Sequence, residues 1–137
     1  MREQPHIRAS WWALVLLTAT YTFSFIDRQI INLLVDPIRT DLSLSDSHVS
    51  FLQGLAFVLP YVVLSIPLGR IVDRANRIRV LVFGILVWTI GCVTCGLAKN
   101  FWQLGVARMG VGAGEASVTP ASWSLLADYF PENKRAL

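Results

Sequence analysis

The sequence predicts an all-α membrane protein of four transmembrane helices, and three observations carry that prediction. The chain is 54% hydrophobic and only 15% charged, the composition of a polypeptide that lives in hydrocarbon. Its apolar residues gather into runs long enough to cross a bilayer core of about 30 Å at about 1.5 Å per residue. Its basic residues segregate: Arg2, Arg8, Arg70, Arg74, Arg77, Arg79, Lys134 and Arg135 fall on one side of the predicted helices, against Arg39 and Lys99 on the other. Short loops rich in arginine and lysine stay in the cytoplasm, so residues 1–10 are placed there, with the protein in an inner or plasma membrane.

The first span runs from Trp11 to about Val35 and opens on two tryptophans suited to the membrane interface. It continues past the length of a secretory h-region and has no clear small-x-small cleavage site, so it is a retained helix. Asp36-Pro37 and the acidic stretch Asp41 to Asp46 form an outside loop. Ser45 or Ser47 is positioned to cap the second span, about Val49 to Leu68. Pro60 and Pro67 within it are tolerable when neighbours satisfy the freed carbonyls. Gly69 to Arg79 then packs Arg70, Arg74, Arg77, Arg79 and Asp73 into a connection too short and too basic to cross the bilayer. The third span is about Ile78 to Ala98, with Gly84 and Gly91 on one face. Lys99-Asn100 is a tight outside turn. The fourth span, about Phe101 to Tyr129, is rich in small residues and interrupted by Pro120. Residues 130–137 read as a cytoplasmic connection about to enter another helix, so the chain is expected to continue into further helices.

Several function classes are disfavoured at this point. The net charge of +3 comes from loop arginines rather than a basic patch interleaved with aromatics, so no nucleic acid is expected as a partner. Cys92 and Cys95 form C-x-x-C inside an apolar helix without a second Cys pair or a His cluster. They are read as small packing residues, and no metal or cofactor is expected. The sequence has no nucleophile elbow or His-based constellation, which argues against an enzyme.

The informative residues are charges where lipid should exclude them: Asp27, Arg28, Arg108 and Glu115. A charge at the bilayer centre costs about 2.5–3.5 kcal/mol on insertion scales, so each should face a partner or a cavity. Helix 1 runs outward and helix 4 inward. Counting about 1.5 Å per residue, Asp27 lies roughly 12 Å and Arg108 roughly 11 Å inside the outer ends of their helices. They meet if the helices adjoin. Glu115 lies two turns beyond Arg108 on the same helical face, which sets carboxylate, guanidinium and carboxylate along one wall. Burial and a neighbouring cation pull a carboxylate's proton affinity in opposite directions, which is the balance a proton-coupling site needs. The competing interpretation is a permanent salt bridge that locks helix 1 to helix 4, with Arg28 structural. Gly110, Gly112 and Gly114 stand among these charges. No strand precedes their G-x-G-x-G spacing, so they serve close helix packing or leave room for a substrate rather than cradling a dinucleotide.

Two motifs resemble the major facilitator superfamily. The Gly69 to Arg79 segment resembles its loop between helices 2 and 3, usually G-x-L-x-D-R-x-G-R-R, and keeps Gly69, Asp73, Arg74 and Arg77. It departs at Val72, Asn76 and Ile78; Asn76 replaces a glycine but tolerates a left-handed turn. Arg108, Gly112 and Gly114 resemble the R-x-x-x-G-x-G of proton-coupled members. More narrowly, Phe25-Ile26-Asp27-Arg28-Gln29, Pro67-Leu68-Gly69, Ala107-Arg108-Met109, Gly114-Glu115-Ala116 and Asp128-Tyr129-Phe130-Pro131 look like the spinster-like branch.

The resemblance implies part of the N-terminal six-helix bundle of a twelve-helix protein operating by alternating access. It implies proton coupling and substrate handling through Asp27, Arg28, Arg108 and Glu115, driven by the proton gradient. It implies an amphipathic solute or lysolipid as cargo, with organic-anion and sugar-acid symporters as the alternative. It also implies a gating loop in which Asp73 faces a helix N-terminus of the second half and Arg77 pairs with Asp128. The other use of that loop is to fix orientation alone. Outside the resemblance, a four-helix multidrug exporter or a non-transporting membrane scaffold also accommodates four spans. The expected partners are the lipid bilayer, the small-molecule cargo and the remaining helices of a longer transporter.

Overall fold

A computed structural model describes residues 7–129. It contains α1 (Ile7–Leu33), α2 (Val35–Asp41), α3 (Asp46–Gln53), α4 (Leu55–Arg74), α5 (Arg77–Leu97) and α6 (Phe101–Tyr129), with no strand among the described residues. α1 begins at Ile7, so residues 7–10 of the segment assigned above to a cytoplasmic terminus are helical, while residues 1–6 and the connection at 130–137 lie outside the described residues.

Several boundaries differ from the sequence reading, each for a local reason. The outside loop is partly helical, because Pro37 sits in the first turn of α2, where a missing N–H costs nothing. The second span is two helices, α3 and α4, joined through Gly54, whose φ of −103° and ψ of −89° depart from helical values. Hydrogen bonds from Gly54 N to Ser50 O and from Val58 N to Gly54 O carry the chain across this joint. The basic connection shrinks to Ala75 and Asn76, since α4 runs through Arg74 and α5 begins at Arg77. Asn76 takes no left-handed turn. At φ −70° it caps α5, its side chain accepting from Ile78 N and Arg79 N. Pro120 does not interrupt α6, which is continuous over 29 residues. His48 belongs to α3, and its ring centroid lies 4.3 Å from that of Phe101.

Other caps agree with local chemistry. Ser45 accepts from His48 N at the start of α3. Asn100 accepts from Gln103 N while Gln103 accepts from Lys99 N, a reciprocal arrangement that stops α5 and starts α6.

The centre of the molecule is α6, which packs along both α5 and α4. Residues 52, 57 and 61 of α3–α4 meet 105, 112 and 119 of α6 in the same order, so these helices run parallel. Gly84 and Gly91 of α5 meet Ser117 and Val111 in reverse order, so α5 runs antiparallel. Backbones come close because the contacts are glycine. A Cβ added at Gly114 would collide with Trp88 N and Gly84 O, and one at Gly112 with the Phe57 carbonyl. By length and hydropathy, Asp46–Arg74 and Arg77–Leu97 qualify as membrane spans. The 27-residue α1 and 29-residue α6 are as long but carry more polar residues.

The attachment of α1 is different. It also runs antiparallel to α6, with Ser10 Oγ donating to Tyr129 O at one end. Its apolar burial is confined to Leu17 and Ile31, while Leu16, Phe23, Phe25 and Ile26 remain exposed. Polar contacts supply the rest of its attachment, and those contacts are the candidate site.

Candidate functional site

Ser24, Asp27 and Arg28 project from one stretch of α1 toward α6. The four charges form two pairs rather than a single row. Arg108 Nη1 reaches Asp27 Oδ2 at 3.5 Å. Two turns along α6, Glu115 Oε2 accepts from Arg28 Nε at 2.9 Å, Arg28 Nη2 at 2.6 Å and Ser24 Oγ at 2.8 Å. Each helix therefore contributes one carboxylate and one guanidinium, so the net charge of the cluster is zero.

The pairs differ in access to solvent. The Arg108 and Asp27 side chains are 5% and 18% exposed, whereas Glu115 is 1% and Arg28 43% exposed. The inner pair thus combines a deeply buried acid with a half-exposed base. Arg28 also lies over the Phe57 and Tyr61 rings, with its guanidinium carbon 5.1 and 5.3 Å from their centroids. Tyr61 is itself held by a 3.3 Å hydroxyl contact with Thr119. Two buried polar atoms of the cluster have no hydrogen-bond partner, Arg108 Nε and Glu115 Oε1.

Two cavities meet at Asp27. One of about 470 Å³ leads from the α2 end, past Ile38 and Leu42, to Asp27 and Arg108. Another of about 420 Å³ lies between α1 and α5, with Asp27, Trp88 and Cys92 in its wall. Neutralising Asp27 leaves the buried Arg108 guanidinium unpaired, whereas neutralising Glu115 frees the half-exposed Arg28, and either change removes one of the few contacts that hold α1.

At the other end of the bundle, Arg77 donates to the Asp128 carboxylate and, at 3.2 Å, to Ser124 O. This contact ties the start of α5 to the end of α6. Asp73 and Arg74 lie exposed at the end of α4, and the space around Gly69 is open. Gly112 faces α4, whereas Gly110 and Gly114 face α5.

Sequence reasoning named the four charges but missed three supporting residues. Ser24 stands one turn before Arg28, the spacing that puts both on one face, and that was the available signal. Cys92 reads in the sequence as a small packing residue, yet its thiol donates to Asp27 Oδ1 at 3.1 Å. Tyr61 carried no local signal, since its role follows from α4 lying parallel to α6.

The sequence pattern of the Major Facilitator Superfamily matches residues 17–137. An MFS-type efflux pump of Mycolicibacterium smegmatis is 31% identical over 129 residues, covering 94% of this chain and 30% of the pump. A hexuronate transporter of Escherichia coli K12 is 26% identical over 138 residues, covering all of this chain and 31% of that protein. Among solved structures, a bacterial homolog of the human lysosomal transporter Spinster, inward-facing and occupied, superimposes with a TM-score of 0.87 at 40% identity. That match covers 91% of this chain and 27% of the homolog. The chain therefore spans under a third of the length of these relatives.

Proposed function

The chain belongs to the major facilitator superfamily, and from that membership we propose that it forms the first four membrane-crossing helices of a proton-coupled secondary transporter. Proteins of this family sit in the bilayer and carry small molecules, so the chain is part of a transporter rather than an enzyme. In the proposed reading α1, α3–α4, α5 and α6 cross the membrane in turn, with residues 1–10 in the cytoplasm. The remaining helices complete a cavity in which an amphipathic organic solute or lysolipid binds near the midplane.

One observation carries the mechanism: α1 is held to α6 mainly by the Asp27–Arg108 and Arg28–Glu115 pairs, with little apolar burial. A proton arriving at Asp27 weakens the contact with Arg108 and lets α1 shift relative to α6. Substrate binding and the proton then bias the same rearrangement, which is the requirement for coupling. The Arg77–Asp128 contact acts as a latch at the cytoplasmic end, with Asp73 meeting the second half of the transporter.

The test is uptake into proteoliposomes holding the full-length product of the coding frame. Asp27→Asn should insert normally, lose proton-driven uptake by about two orders of magnitude, and retain exchange of substrate without net proton movement. Undiminished proton-driven uptake in that variant would remove Asp27 as the coupling carboxylate.

A second reading concerns the cargo. The half-exposed Arg28 guanidinium, framed by Phe57 and Tyr61, suits a carboxylate on a sugar acid or organic anion. Similarity to the hexuronate transporter agrees with this alternative. Competition of a lysophospholipid and a hexuronate for the same uptake separates the two.

A further inference from the structure

The two oxygens of Asp27 are divided between two helices. Oδ2 meets Arg108 of α6 at 3.5 Å, and Oδ1 accepts from the Cys92 thiol of α5 at 3.1 Å. The first contact is single and at the outer limit of a hydrogen bond. A carboxylate held at one oxygen turns easily about its terminal torsion, which has a broad profile. The thiol fixes that torsion from the opposite side. It also suits either protonation state, because S–H donates to a carboxylate and sulfur accepts from a carboxylic O–H.

The position of this contact adds a second argument. Asp27, Ile30 and Cys92 are shared by the walls of the 470 Å³ and 420 Å³ cavities. The α1–α5 contact is thus the partition between a cavity reaching the α2 end and one lying between α1 and α5. We propose that Cys92 is a positioning residue: its thiol orients the Asp27 carboxylate and closes the partition between the two cavities. The other charged or titratable groups around Asp27 are Arg108, Cys95 one turn along α5, and Asp41 across the larger cavity. Neighbouring Arg28 is turned to Glu115. The inference rests on the reading of Asp27 as the coupling carboxylate.

The decisive experiment compares Cys92→Val with Cys92→Ser in the full-length transporter. Valine matches the thiol in size and apolar character but neither donates nor accepts, whereas serine does both. Proton-driven uptake should fall about tenfold in Cys92→Val, the equivalent of one hydrogen bond to a charged group, and remain within about threefold of the parent in Cys92→Ser. The opposite order, with valine tolerated and serine impaired, identifies a packing residue and overturns the proposal.

A second measurement works without transport. The infrared S–H stretching band lost in Cys92→Ser should lie at lower frequency than the band lost in Cys95→Ser, and should rise in Asp27→Ala. Coincident bands, or no response to Asp27→Ala, overturn the contact even where Cys92→Val fails to insert. Absence of proton-driven uptake in the parent protein strikes the functional reading instead, leaving the infrared result to decide the geometry.

Discussion

Glu115 gathers three donors on Oε2 and none on Oε1, while Arg108 leaves Nε unpartnered. Residues in such positions respond to substitution according to whether the stranded partner reaches water. Asp27→Asn strands Arg108, which is buried, so it should destabilise the protein by about 3–5 kcal/mol. Glu115→Gln strands Arg28, whose 43% exposure permits rehydration, so its cost should stay nearer 1–2 kcal/mol. Unfolding midpoints of the two purified variants check the order, and equal losses would contradict the argument. Helical depth was legible at this scale: counting residues from the span ends puts Asp27 and Arg108 at one level, and they lie 3.5 Å apart. Rotation about the helix axis was not. Depth alone does not tell which of Arg28 and Arg108 turns to which acid, and only the packed helices resolve the two pairs.

Between elements, close approach depends on glycine. Gly114→Ala would force a Cβ against the α5 backbone at Trp88 and Gly84, separating two helices that otherwise touch. A loss of about 1–3 kcal/mol is expected from that overpacking. Gly96→Ala, also in a helix, meets nothing within 4 Å and should be neutral or stabilising by up to about 1 kcal/mol. Thermal unfolding of the pair of variants makes the comparison. The Arg77–Asp128 contact is half-exposed, so it contributes little to stability, at most about 1 kcal/mol. Its proposed effect is on the balance of conformations. Asp128→Asn should change the transport rate several-fold with little change in unfolding midpoint, and exchanging the two charges should restore it. Helix existence was readable from apolar runs, but helix ends were not. Arginine-rich composition reports the side of the membrane and says nothing against helical backbone, since arginine is a good helix former. That is why Arg70, Arg74, Arg77 and Arg79, read as a loop, lie in α4 and α5.

For the molecule as a whole, all-helical character and superfamily membership were legible because composition and two motifs carry them along most of the chain. The division of labour among helices was not. Only the packed structure reveals α6 as the shared core and α1 as a helix fastened by ions. The proposed orientation predicts that a cysteine placed near residue 44, at the α2–α3 connection, is labelled from outside intact cells, and one at residue 75 only after permeabilisation. The reverse pattern would invert the membrane topology. The fastening of α1 also bears on biosynthesis. Arg28 and Glu115 are 87 residues apart in sequence. At about 5–20 residues per second, the ribosome needs roughly 4–17 s to supply the second after the first. For nearly all of that interval α1 holds two charges whose partners have not been made, so lipid is a poor place for it to wait. The insertion machinery should shelter it, and photocrosslinks from α1 to the translocation channel should persist until α6 emerges.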